Sequence, residues 1–200
     1  MKKSLLLLSL ILIQWNLAKA QTVEATRQVG DHAALFTFEK NENPENIMIV
    51  YTKLDSNCQV VVDPNKQASP IFDMYWLMNG TGFKPVHSLI KNGVIGRLEI
   101  IPAKSHDTFQ IQINDLKELQ TDVQEQKLTI VAQKSAKGAC EVKSFFTLGA
   151  SDKGATMQVK TIYSEAAKTM LPPFRKLKSV TLKGVDSKTG EKLSRTYKAK

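Results

Sequence analysis

The residues in this chain with chemical potential are few and scattered. His32, His87 and His106 share no spacing that would bring them to one metal ion. Asp55-x-Asn57 has the start of a calcium loop, yet the glycine at its sixth position and the glutamate at its twelfth are missing. No nucleophile elbow, Walker loop or dinucleotide fingerprint occurs, and Gly80-Thr81-Gly82 lacks the helix that phosphate binding needs. No carboxylate pair stands out as an acid–base couple. These residues indicate no catalytic group, metal or cofactor, and an enzyme ranks behind two kinds of binding or assembly protein.

Asp73 is the residue of most interest. It stands inside Ala68 to Gly80, the densest apolar and aromatic run outside the leader. At strand period, Phe72, Met74 and Trp76 share one face, and Asp73, Tyr75 and Leu77 share the other. A strand apolar on both faces is normally covered on both, so this one is expected at the centre. A carboxylate there is costly unless paired and hydrogen-bonded. Arg97, Lys84 and Tyr75 are the candidate partners. One reading makes Asp73, Tyr75, Trp76 and Arg97 the lining of a ligand pocket. The plainer one makes Asp73 a structural ion pair or an outward group at a sheet edge, with Tyr75 and Trp76 as core aromatics. Asn79-Gly80-Thr81 matches a glycosylation sequon, which matters only in a eukaryotic secretory pathway.

The elements that position these residues begin after a leader. Lys2 and Lys3, the apolar run Leu5 to Ile13, and Ala18-Lys19-Ala20 read as a signal peptide over residues 1–20, cut before Gln21. No second long apolar run follows, so no membrane span is expected after cleavage, and the protein is expected in the periplasm or outside the cell. Cys58 and Cys140 both lie in the exported part, an even count that an oxidising compartment can join. Two buried thiols that never meet is the alternative.

Of the 28 basic and 19 acidic side chains, three lysines belong to the leader, which leaves the exported part at about +6. Arg175 to Lys200 holds nine basic residues against Asp186 and Glu191, so the rest is close to neutral. Lys192, Arg195 and Lys198 are the candidates for binding an anionic surface. The plainer reading puts these charges on solvent faces, where they blunt a strand edge. Tyr197 is the single aromatic residue among them, too few for a stacking platform, so nucleic acid is not expected as a partner.

Residues 21–32 read as a loose lead-in and 33–200 as one β domain, well within the size that buries its own core. Strands are expected over Ala33 to Glu39, Ile47 to Leu54, Cys58 to Val62, the central run, Val94 to Ile101, and Thr108 to Ile113. Further strands follow over Lys127 to Gln133, Ala139 to Leu148 and Ala155 to Tyr163, with a closing hairpin of Lys176 to Val185 and Lys192 to Lys198. Pro102 is expected to stop its strand. Phe83 to Asn92 reads as a short helix, Asn114 to Gln126 as a loop or one helical turn, and Ser164 to Lys168 as another turn. The even spacing of short strands and turns predicts an all-β fold, an antiparallel sandwich or barrel with one or two short helices.

Asn46-Ile47-Met48-Ile49-Val50-Tyr51, Pro70-Ile71-Phe72-Asp73-Met74-Tyr75-Trp76 and Val180-x-Leu182-x-Gly184-x-Asp186-x-x-Thr189-Gly190-Glu191 resemble the bacterial secreted family called domain of unknown function 4833. The resemblance runs from about Leu35 to Tyr197. It implies export and a single compact domain, and it brings no activity. The leading expectation is a non-catalytic exported binding module, for a small, partly apolar molecule or an anionic envelope component. The second is an envelope assembly protein that works through an exposed strand edge.

Overall fold

Alternating apolar and polar side chains dictate strands, and strands dominate the chain. The computed structural model describes residues 28–40, 46–65, 69–78, 82–86, 98–105, 108–114, 116, 119, 127–149, 152, 154–167 and 176–199. The leader, Arg97, His87 and His106 lie outside them. The strands are β1 (Gln28–Val29), β2 (His32–Lys40), β3 (Asn46–Lys53), β4 (Val62–Asp63), β5 (Ser69–Pro70), β6 (Phe72–Met78) and β7 (Gly82–Pro85). They continue as β8 (Leu98–Ser105), β9 (Thr108–Ile113), β10 (Lys127–Lys134), β11 (Cys140–Thr147), β12 (Thr156–Ala167), β13 (Lys176–Asp186) and β14 (Lys192–Lys198).

Twelve of these strands form one open, mixed sheet, and β4 pairs with β5 apart from it. The expected all-β class holds, while the expected barrel is not seen, because the sheet does not close among the described residues. The sheet has two arms, β7-β6-β3-β2 and β8-β9-β10-β11, joined at β12. Strand β13 pairs with β12 along its other edge, and β14 follows β13. All pairings are antiparallel except that of β12 with β2, where Thr161 to Ser164 run alongside Thr37 to Lys40 in the same direction.

The junction has a local cause. On one edge β12 pairs with β11 through Thr156 to Val159, and then with β2 from Thr161 onward. Lys160 falls between the two sets, and there the register with β13 slips by one residue, a β-bulge. Opposite the bulge stands Gly184. A Cβ at that position would lie 2.0 Å from the Gln158 carbonyl oxygen, so only glycine permits this approach. Strand β2 carries its own register shift between Ala34 and Phe36 at the same level. Hydroxyls fasten the gap: Ser144 Oγ donates to Leu35 O at 3.1 Å, and Thr37 Oγ1 donates to Lys160 O at 3.3 Å.

The two arms bend over a common core. Phe36, Phe38, Met48, Val50, Phe72 and Met74 of the first arm join Phe109, Ile111, Leu128, Ile130 and Phe146 of the second, with Met157, Ile162, Val180 and Leu182 beneath. Phe72 and Phe109 meet edge to face across it at 5.6 Å. Cys58, in the turn after β3, is bonded to Cys140 at the start of β11, so a covalent tie spans the two arms.

Several elements differ from the expectations. The lead-in contains β1, which turns through Gly30 at φ +59° into β2. The strand expected over Cys58 to Val62 shrinks to a bridge between Leu54 and Val60 and the two residues of β4. Gly82–Pro85 pairs with β6 as β7, Val86 N donates to Met74 O at 3.0 Å in continuation of it, and residues 87–92 of the expected helix lie outside the described residues. Pro102 does not stop β8, which shifts register between Ile101 and Ser105, where a missing N–H is tolerated. Ser164 to Ala167 stay in β12, because β13 pairs with them to its first residue. Asn114 and Leu116 do take helical geometry.

Two outcomes follow for stability. Gly184→Ala is expected to cost roughly 1–3 kcal/mol through overpacking at the bulge, whereas Gly149→Ala, whose Cβ would meet nothing within 4 Å, leaves the thermal midpoint in place. Replacing both Cys58 and Cys140 with Ala opens a loop spanning 82 residues, worth about 4 kcal/mol by loop entropy. Thermal melts followed by circular dichroism are expected to show a drop of roughly 8–16 °C for that variant.

Candidate functional site

The first arm presents two faces. Its inner face carries Phe72, Met74 and Trp76, with Trp76 packed against the main core. Its outer face carries a second apolar cluster of Ile49, Tyr51 and Leu77, flanked by Ala34, Ile47 and Tyr75. Asp73 and Tyr75 belong to this outer face, so β6 separates Trp76 from them. Of the four residues the sequence proposes as a pocket, Asp73 and Tyr75 share a face, Trp76 points the other way, and Arg97 lies outside the described residues.

Asp73 is half-buried and has a partner that the sequence reading did not name. His32 Nε2 lies 2.8 Å from Asp73 Oδ2, and His32 Nδ1 lies 2.7 Å from Asp31 Oδ1. Lys53 Nζ continues the chain at 3.1 Å from Asp31 Oδ2. The register explains the assembly, since His32 stands opposite Lys53 and Tyr51 stands opposite Asp73. Hydrogen bonding from Lys53 holds the Asp31 carboxyl below its ordinary value. Beside this chain Tyr51 is fully buried and meets Tyr75 edge to face at 5.5 Å. Burial, with Tyr75 adding to it, pushes the Tyr51 phenol up to about 12.

The same outer face opens into a cleft where the arms diverge. It encloses about 180 Å³ and is lined by Ala34, Leu35, Phe36, Thr37 and Glu39 of β2, and by Ile47 and Ile49 of β3. Val142 of β11 and Gln158, Lys160 and Thr161 of β12 complete it. Ile49 pairs with Tyr75 across the strands, which makes Tyr75 a neighbour of the cleft. Its lining is mixed, part aliphatic and part polar. Thr37 Oγ1 and Thr161 Oγ1 lie 2.8 Å apart, and Glu39 meets Lys183 at 3.9 Å. The lining combines aliphatic side chains with Thr37, Glu39, Gln158, Lys160 and Thr161, so apolar and polar groups lie side by side in it. The sequence reading missed these residues, because they come from four strands that meet only at the bulge.

The basic candidates also divide. Lys192 and Lys198 are exposed on the outer face of β14, while Arg195 points inward and is held by Asp152, with Nε at 2.7 Å from Oδ1. Asp152 raises the Arg195 guanidinium further above its ordinary value. Asp55 accepts from the backbone N–H groups of Asn57 and Gln59 at 2.8 Å, the work of a turn residue. Among the described residues no group of His, Cys, Asp and Glu could hold a metal ion. No helix among them is long and apolar enough to cross a membrane.

Fold and cleft together define an open mixed β-sheet protein with a small cleft at a branch of the sheet. Compared with protein-family models, curated proteins and solved structures, the chain matches none.

Tyr51 gives a pH prediction. Because its phenol ionises later in the folded state than the ordinary value near 10, the unfolded state loses its proton first. Stability is expected to fall as pH rises from about 10 to about 12. Alkaline absorbance titration is expected to show a late tyrosine component that Tyr51→Phe removes.

Proposed function

We propose that this protein is an exported, non-catalytic binding module that seats one ring or one short chain of its ligand in the cleft between the arms. The observation that carries the reading is the cleft itself, whose lining sets Ile47, Ile49, Val142 and Ala34 beside Gln158, Lys160, Glu39 and Thr161. At about 180 Å³ it is smaller than the roughly 300–1,000 Å³ of pockets that enclose a whole drug-sized ligand. It suits a single ring or short acyl chain, with Lys160 or Gln158 meeting a polar end. Export is supported by the leader pattern of residues 1–20 and by the Cys58–Cys140 bond, which an oxidising compartment preserves.

The test uses p-cresol, indole and hexanoate as probes against the labelled protein. The reading expects at least one of them to shift the amide signals of Thr37, Ile49 and Thr161. Filling the cleft from two different strands, by Ala34→Phe or by Gln158→Trp, is expected to abolish those shifts while the near-ultraviolet spectrum stays native. Absence of shifts with every probe, or equal binding by both filled variants, would remove the cleft as a ligand seat.

A further inference from the structure

Strand β14 is the last strand of the sheet on its side, and its register with β13 runs unbroken from Val185 opposite Lys192 to Ser179 opposite Lys198. Backbone alternation fixes which groups face outward. Glu191 O accepts from Asp186 N, and Ala199 N donates to Lys178 O, so the odd-numbered residues of β14 bond to β13. The backbone groups of Lys192, Ser194, Thr196 and Lys198 therefore point away from the sheet, and β14 pairs with no other strand among the described residues. The same four side chains are exposed. The inner row offers Leu193 and Tyr197, which are partly buried against the core.

We propose that this edge is a docking strip for an extended, acidic peptide segment that adds to the sheet as one more antiparallel strand. Its acids would face Lys192 and Lys198, about 20 Å apart along the strand, and its apolar residues would continue the row of Leu193 and Tyr197. Charge selects the occupant. A second copy of β14 paired about Arg195 would set Lys192 against Lys198 at both ends, and like charges directly opposite are destabilising. Lysines on an edge usually repel other strands. Here they repel basic strands and lose hydration without return against neutral ones, which leaves an acidic strand as the partner that gains from them. Of the nearby acids, Asp186 Oδ1 is turned toward the N–H groups of Lys188 and Thr189 and Glu165 toward Lys178 and Ser179, and Glu191 still leaves Glu191 to Lys198 net positive with Lys192, Arg195 and Lys198. The inference is independent of the cleft.

The experiment measures fluorescence anisotropy of a labelled Glu-Val-Thr-Ile-Thr-Val-Glu peptide with the full exported chain. Three controls accompany it: the same peptide with Lys for Glu, the acidic peptide N-methylated at alternate bonds along its pairing edge, and heparin. The acidic peptide is expected to bind at least tenfold more tightly than the basic one, and to shift the amide signals of Lys192 to Lys198. Reversing the edge charges with Lys192→Glu and Lys198→Glu should invert the preference, and Lys192→Gln with Lys198→Gln should erase it. N-methylation should abolish binding. The proposal is overturned if the acidic peptide does not bind or if charge reversal leaves its affinity unchanged. It is equally overturned if the N-methylated peptide binds as well as its parent, or if heparin binds where the peptide does not; both results would mark a basic face that attracts any polyanion.

Discussion

One strand edge with two successive neighbours governs this molecule. A β-strand has two edges, and each normally carries one partner. Strand β12 gives one edge wholly to β13 and divides the other between β11 and β2. The division requires a residue that belongs to neither ladder, and Lys160 supplies it. The extra residue bends β12, and β13 can follow only because Gly184 has no side chain to strike the Gln158 carbonyl. The divergence of the arms, the shared core between them and the cleft outside it all follow from that local slip.

The outer surface inherits its character from the same geometry. Where β2 leaves β11, backbone groups that would have paired must find other partners, and Ser144 and Thr37 provide short hydroxyls that reach them. A larger side chain at either place would close the gap, and an apolar one would leave a carbonyl unsatisfied. The cleft is thus the space left by a branched sheet whose polar seams are closed by small residues. Further along the face the aliphatic surface gives way to the charged chain of Asp73, His32, Asp31 and Lys53.

Much of the fold was legible because strand periodicity is local. Thr108 to Ile113 and the closing hairpin were read within a residue of their bounds, and the two faces of the run at Asp73 were assigned as the structure has them. The extension of β12 through Ser164 to Ala167 was not legible, since Ser-Glu-Ala-Ala favours a helix and only pairing with β13 overrides that preference. The junction did leave a trace. Buried residues in β12 run Met157, Val159, then Ile162, Ser164 and Ala166, so the period-two phase slips at Lys160. In β2 the adjacent Leu35 and Phe36 are both buried, the same slip in the partner strand. Which strands meet at those slips is a matter of long-range pairing, and for that reason the cleft and the His32 contact with Asp73 were out of reach of local reasoning.

The parallel pairing of β2 with β12 has a mechanical consequence. Strand β14 runs antiparallel to β13, which runs antiparallel to β12, so β2, β12 and β14 all point the same way. Tension applied between the start of β2 and the end of β14 would pull these strands lengthwise past one another. The ladders joining them would be sheared as a set instead of being unzipped one bond at a time. Most of the second arm and the Cys58–Cys140 bond lie off that line of force, so the ladders of β2, β12, β13 and β14 can resist stretching while the covalent tie carries none of the strain.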